Sequence, residues 1–139
     1  MKRYYIAYGS NLSESQMAMR CPTAKVVGTS TLKDWRLLFD GPASIERFDG
    51  YEVPVLIWDI QPDDERSLDR YEGYPSYYRK EMLKVEVNGE TIDAMVYIMN
   101  TKKESIPSTY YYQVLEKGYE RFGFDKRILE QALLESKEW

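Results

Sequence analysis

Histidine is missing from the chain altogether, and cysteine occurs once, at Cys21. The first absence excludes Ser-His-Asp and Cys-His catalytic units within the chain, along with any metal site built on imidazole. The second leaves neither a thiolate zinc cage nor an intrachain disulfide, so no metal site is expected. A general acid or base must come from Asp, Glu, Lys or Tyr. Long hydrophobic runs are missing too. The stretch Tyr4-Tyr5-Ile6-Ala7-Tyr8, after Lys2 and Arg3, stops at Gly9. It is too short for a signal-peptide core, and no apolar run of roughly 18 residues follows, so no membrane association is expected. Clustered positive charge is also lacking. Nineteen Lys and Arg against 23 Asp and Glu give a net charge of −4, which argues against nucleic acid as a partner. An unpaired cysteine suits a reducing compartment, and the expected location is cytoplasmic.

What is present is ordinary globular material in 139 residues, 43% of them hydrophobic. A chain of this size buries about two-thirds of its unfolded surface without staples. No internal repeat, low-complexity tract or linker divides it, so residues 1–139 read as one domain. Residues 3–8 form a strand buried on both faces that delivers Gly9-Ser10-Asn11 to its carboxyl end. Ser13-Glu14-Ser15-Gln16 reads as a capping box opening a helix through about Arg20, before Pro22. Residues 25–39 and 53–60 read as strands, with Asp40-Gly41-Pro42 and Phe48-Asp49-Gly50 as turns between them. Alternation over 83–98 about Asn88-Gly89 predicts an antiparallel hairpin. Ser108 or Thr109 caps one helix stopped by Gly123, and Asp125 caps another. Strands interspersed with helices, plus the hairpin, imply a mixed α/β (α+β) domain.

One carboxylate stands apart. Pro62-Asp63-Asp64-Glu65 suits the first turn of a helix, and Gly73 suits its C-terminal stop. Glu72 then occupies the last turn, where the helix dipole disfavours a negative charge, and lies one turn after Leu68 on the presumed buried face. Both effects raise a carboxyl pKa toward the range a general base needs. On spacing alone a solvated helix end paired with Arg70 or Arg79 fits better than a buried base. Asp69 is read as solvent-facing, Arg79 and Lys80 as a solvated pair at the start of a strand, and Cys21 as a small buried residue.

Two segments together carry a resemblance: Tyr8-Gly9-Ser10-Asn11-Leu12 directly after the first strand, and Leu68-Asp69-Arg70-Tyr71-Glu72-Gly73 at a helix end. With the late Pro107-Ser108-Thr109-Tyr110-Tyr111 and Gly118 seven residues beyond Tyr111, the chain resembles the gamma-glutamylcyclotransferase-like enzymes over nearly its whole length. The resemblance implies a small mixed β-barrel or sheet flanked by helices. It implies cleavage of a γ-glutamyl amide by the substrate's own α-amine, releasing 5-oxoproline and a free amine without a cofactor. Glu72 is then the proton shuttle. Gly9, Ser10, Asn11 and Leu12 form an anion cradle, Tyr8 is part of the wall, and Tyr78 (with Tyr77 as alternative) and Tyr111 contact the small-molecule substrate.

Two other classes compete with the enzyme. A noncatalytic module would bind γ-glutamyl or amino-acid-like ligands without turnover. An interaction protein would leave Glu72 in solvent, with no cavity between residues 9–12 and 72.

Overall fold

The aromatic run after Lys2 forms β1, Arg3–Ala7, at the centre of a five-stranded sheet. The computed structural model describes residues 2–137, so the ends of the expected domain, residues 1, 138 and 139, lie outside the described residues. The other strands are β2, Lys25–Phe39; β3, Ala43–Ile60; β4, Tyr78–Val87; and β5, Glu90–Met99. Their order is β2-β3-β1-β5-β4. β1 runs antiparallel to β3, with Tyr5 opposite Trp58 and Ile6 opposite Ile57. On its other side it runs parallel to β5, where Tyr5 meets Met95. Neighbours on both edges and side chains on both faces explain why Tyr5, Ile6 and Ala7 are all buried.

The hydrogen-bond ladder is that of a sheet not closed into a barrel, with β2 and β4 at its edges. Those edges still approach each other. Ser30 Oγ donates to the Glu86 carbonyl at 2.6 Å, and Asn88 Nδ2 donates to the Val27 carbonyl at 3.1 Å.

The predicted turn at Phe48-Asp49-Gly50 needs correction. These residues lie inside β3, as a bulge between the pairs Lys33–Glu52 and Trp35–Arg47. Asp34, in the left-handed region at φ 65°, faces the bulge and accepts the Gly50 N–H at 3.0 Å. The Asp-Gly pair does bend the chain, but both flanks pair with β2, so the strand continues through it.

Four helices complete the fold: α1, Glu14–Arg20; α2, Pro62–Glu72; α3, Thr109–Phe122; and α4, Lys126–Ser136. Their caps follow the sequence. Ser13 accepts from Gln16 N–H, Ser108 from Tyr111 N–H and Asp125 from Arg127 N–H, while Gly73 and Gly123 close α2 and α3 in the left-handed conformation. The box at Ser13 is only half made, because Gln16 Oε1 turns to Arg20 Nη2 at 3.1 Å. α4 lies on β2, and the buried Arg36 fastens it there by bonding Glu135 at 2.8 Å, Glu104 at 3.1 Å, and Glu46. α3 packs behind the turn at residues 10–12, close to Gly118. Among the described residues, no helix is long and apolar enough to cross a membrane.

Candidate active site

Beyond β1 the chain enters a single 3-10 turn, Ser10–Leu12. Leu12 N–H donates to Gly9 O and Ser13 N–H to Ser10 O, each at 3.0 Å. The turn therefore engages the Leu12 amide, and the Leu12 side chain is buried against Gly118. Leu12 is not among the residues lining the cavity. It acts as the turn's anchor. Gly9, Ser10 and Asn11 do face the cavity, and Glu72 stands in the same wall.

The cavity holds about 250 Å³. That is below the roughly 300–1,000 Å³ of pockets for drug-sized ligands, and suits one end of a small polar molecule. Seven of the chain's 13 tyrosines line it, and Glu72 is its one charged lining residue among the described residues. Tyr8 and Tyr78 are both in the wall and both buried, as is Tyr97. Tyr8 OH donates to the Tyr97 carbonyl at 2.7 Å, and Tyr78 OH to the Ala43 carbonyl at 2.9 Å. Tyr77 lines the cavity as well but is 57% exposed, so it stands at the rim while Tyr78 is inside. Tyr111 reaches in from α3, and its hydroxyl oxygen accepts the Ala43 N–H at 3.0 Å. That hydroxyl lies 3.0 Å from where a Cβ on Gly9 would be, so glycine leaves it room to approach the backbone.

Glu72 ends α2 one turn after the fully buried Leu68, as the helical spacing predicts. Burial pushes its carboxyl up from 4.5 to about 7, and the positive charge of Arg20 acts against that rise. Neither Arg70 nor Arg79 is its partner: Arg70 Nη2 donates to Ser67, and Arg79 to Glu81 and the Met99 carbonyl. Burial is also the leading cause that drives the hydroxyls of Tyr5, Tyr8, Tyr78 and Tyr111 above the ordinary tyrosine range, with Glu72 adding to it. These phenols stay protonated near neutrality and act as hydrogen-bonding groups.

Two further expectations change. Asp69 is not turned to solvent, because it accepts the Tyr97 hydroxyl at 2.6 Å and pairs with Lys80 at 2.9 Å. Lys80 is correspondingly not a solvated residue. It lies largely covered between Glu65 and Asp69 and above the ring of Tyr74. This cluster braces Tyr97 from behind. Cys21 is buried as expected, with its thiol near the Asp64 carbonyl and pushed by burial up to about 11.

Sequence reading passed over Tyr5, Tyr97 and Arg20. Arg20 lays its guanidinium carbon 3.6 Å above the Tyr71 ring and bonds Asn11 Oδ1. Tyr71 in turn meets Ser10 Oγ at 2.9 Å. The loop after β1 and the end of α2 are joined across Arg20, a contact between distant segments that no local pattern announces.

Comparison with known proteins shows the family. The sequence model of the family described as "Gamma-glutamyl cyclotransferase, AIG2-like" matches residues 5–117, and the chain belongs to that family. Among its relatives, the Gamma-glutamylcyclotransferase of Homo sapiens is 29% identical over 86% of this chain and 71% of its own length. The mouse protein of the same name, from Mus musculus, is 29% identical over 91% and 75%. A solved structure titled "Gamma-glutamyl cyclotransferase" superposes with a TM-score of 0.84 at 25% identity, covering 95% of this chain and 86% of that one.

Proposed function

We propose that the chain, as one domain, is a γ-glutamyl cyclotransferase. The observation that carries this reading is Glu72, pushed by burial to about 7 and lining one small cavity together with the Gly9–Asn11 turn, in a chain of this family. The substrate is a γ-glutamyl amino acid or amine. Its α-ammonium gives a proton to Glu72, and the freed nitrogen attacks the γ-carbonyl carbon. A five-membered ring forms, the amide C–N bond breaks as Glu72 returns that proton to the departing nitrogen, and the second proton of the ring nitrogen follows by way of Glu72, so that a neutral lactam and an ammonium leave. Atoms and charge balance within one molecule and one carboxylate, so the reaction calls for no cofactor. The enzyme's main contribution is to hold the substrate folded for ring closure. Amides of Gly9, Ser10 and Asn11 receive the substrate's negative oxygens, and Tyr8, Tyr78 and Tyr111 shape the wall around them. Unpaired Cys21 suits a reducing, cytoplasmic setting.

A panel of γ-glutamyl amides tests this directly. Release of 5-oxoproline from at least one member is the expected result. Thermal stabilisation by such ligands with no product would favour a binding module instead. An interaction protein is disfavoured, since Glu72 faces a cavity.

The pH profile supplies a second check. Glu72 must be ionised to take the proton, and its folded value is about 7. Activity is therefore low below that pH and rises through it as the carboxyl loses its proton. A kcat/KM profile whose acid limb lies near 7 is expected; a limb at the ordinary carboxyl value would contradict the assignment.

A further inference from the structure

Tyr5 lies outside both signature segments, yet a directed chain of hydrogen bonds ends at its hydroxyl. A guanidinium has donors only, so the Asn11 atom that Arg20 Nη1 meets must be the carbonyl Oδ1. The other end of the planar amide, Nδ2, is thereby turned to donate to the Tyr5 hydroxyl oxygen at 2.9 Å. An oxygen that accepts an N–H there must send its own proton elsewhere. Among the described residues the Tyr5 hydroxyl has no further hydrogen-bond partner, and Tyr5 lines the cavity.

Three of its neighbours differ, whereas Tyr111, whose hydroxyl oxygen accepts the Ala43 N–H, does not. Tyr8, Tyr78 and Tyr97 each direct their protons to a protein oxygen, at 2.7, 2.9 and 2.6 Å. The chain behind Tyr5 is also held firmly. Trp58 Nε1 donates to the Asn11 carbonyl at 3.1 Å, and Arg20 is fixed by Gln16 and by the Tyr71 face. A full positive charge at one end polarises every bond along the series.

We propose that Arg20, Asn11 and Tyr5 form a relay that presents the Tyr5 hydroxyl proton to the acyl oxygen of a bound γ-glutamyl substrate. Tyr5 touches the substrate, while Asn11 and Arg20 are positioning residues. The inference rests on the cyclotransferase reading above. As the amine nitrogen adds to the γ-carbonyl, its oxygen gains negative charge, and a donor already aimed there stabilises that state more than the neutral amide. The Tyr5 proton is shared, not transferred. It stays on the phenol when the C–N bond breaks and the carbonyl re-forms.

Tyr5→Phe removes only the hydroxyl. On the alkaline plateau, where Glu72 is ionised in every variant, kcat for 5-oxoproline release should fall about ten- to a hundredfold, with KM changed by less than about threefold and Tm close to the parent. Arg20→Met should cost a similar factor alone but add little in the Tyr5→Phe background, because both act through one chain. Arg20→Lys, which keeps a cationic donor, should recover part of the loss.

A readout independent of turnover is the side-chain amide of Asn11 in nitrogen-15 spectra of the ligand-free protein. Its protons should shift and exchange faster in Arg20→Met. Parent-like kcat in Tyr5→Phe, or losses that multiply in the double variant, would overturn the relay. So would Asn11 signals unmoved by either substitution. A parent protein that releases no 5-oxoproline overturns the cyclotransferase reading, and with it the role of Tyr5 toward the acyl oxygen. The Asn11 spectra then still decide whether the chain exists.

Discussion

Replacing Glu72 by Gln is expected to lower kcat for 5-oxoproline release by at least about a hundredfold, the lower end for loss of a general base. The same substitution should make the protein more stable. In the folded chain the Glu72 carboxyl titrates near 7, against 4.5 ordinarily, because burial penalises its charge. Between those two values the folded state keeps a proton that the unfolded state has lost, so stability falls as pH rises through that window. Above it the cost is constant. At about 1.4 kcal/mol per pH unit, a window from 4.5 to about 7 puts the upper figure for the cost at roughly 3.5 kcal/mol. Gln carries no charge to bury. Its Tm should therefore exceed the parent's by several degrees at pH 8 and match it near pH 4. Thermal melts at both pH values, alongside an assay of 5-oxoproline, separate this from a merely structural residue. Loss of activity with loss of stability at pH 8 would count against Glu72 as the strained base.

Gly118→Val should be the most damaging change outside the cavity. Gly118 sits within α3, where glycine normally weakens a helix by roughly 1 kcal/mol relative to alanine. Its place is explained by Leu12. A Cβ at position 118 would lie 2.7 Å from Leu12 Cβ, closer than two carbons can stand. Leu12 cannot swing away, because the clash is at its Cβ and its backbone is held in the turn. Either α3 lifts or the 9–12 loop moves into the cavity. Overpacking of this kind costs about 1–3 kcal/mol, and the branched Val adds helix strain. The variant should lose several degrees in Tm and most of its kcat, because the displaced turn carries Gly9, Ser10 and Asn11. A Gly118→Val protein with parent stability and turnover would show that α3 does not back the loop.

Much of this architecture was legible because local signals and tertiary placement agree. β1, the Asn88-Gly89 hairpin and the caps at Ser13, Ser108, Asp125, Gly73 and Gly123 are each dictated by a few adjacent residues. The position of Glu72 followed from its spacing to Leu68 and Gly73. What escaped reading depends on partners far along the chain. Asp49-Gly50 has turn chemistry, and only its pairing with Asp34 makes it a bulge. Asp69 lies off the helix face defined by Leu68, and only the Tyr97 hydroxyl arriving from β5 turns it inward. In the sequence Arg20 marks only the approximate end of a helix. It is the neighbourhood of Asn11 and Tyr71 that brings it to the site. The packing of Leu12 against Gly118 joins segments far apart in the chain, and no motif announces it.

The place of β1 in the sheet also bears on how the molecule is made. During synthesis this strand emerges before either of its neighbours, and its partners lie at residues 56–60 and 95. A nascent chain can pair this segment with β3 once residues 56–60 have left the ribosome, and with β5 only after residue 95, while β2 and β3 can zip together as a hairpin. The strands form two ribbons, β2-β3 and β4-β5, joined through β1 and by the Ser30–Glu86 and Asn88–Val27 contacts at their outer edges. Such late, non-local pairing is slow compared with local folding. The segment after β1 is the one that supplies Gly9, Ser10 and Asn11. The cavity wall draws on β1, β4, β5, α2 and α3 as well as that segment, so it is whole only when the sheet and its helices are in place.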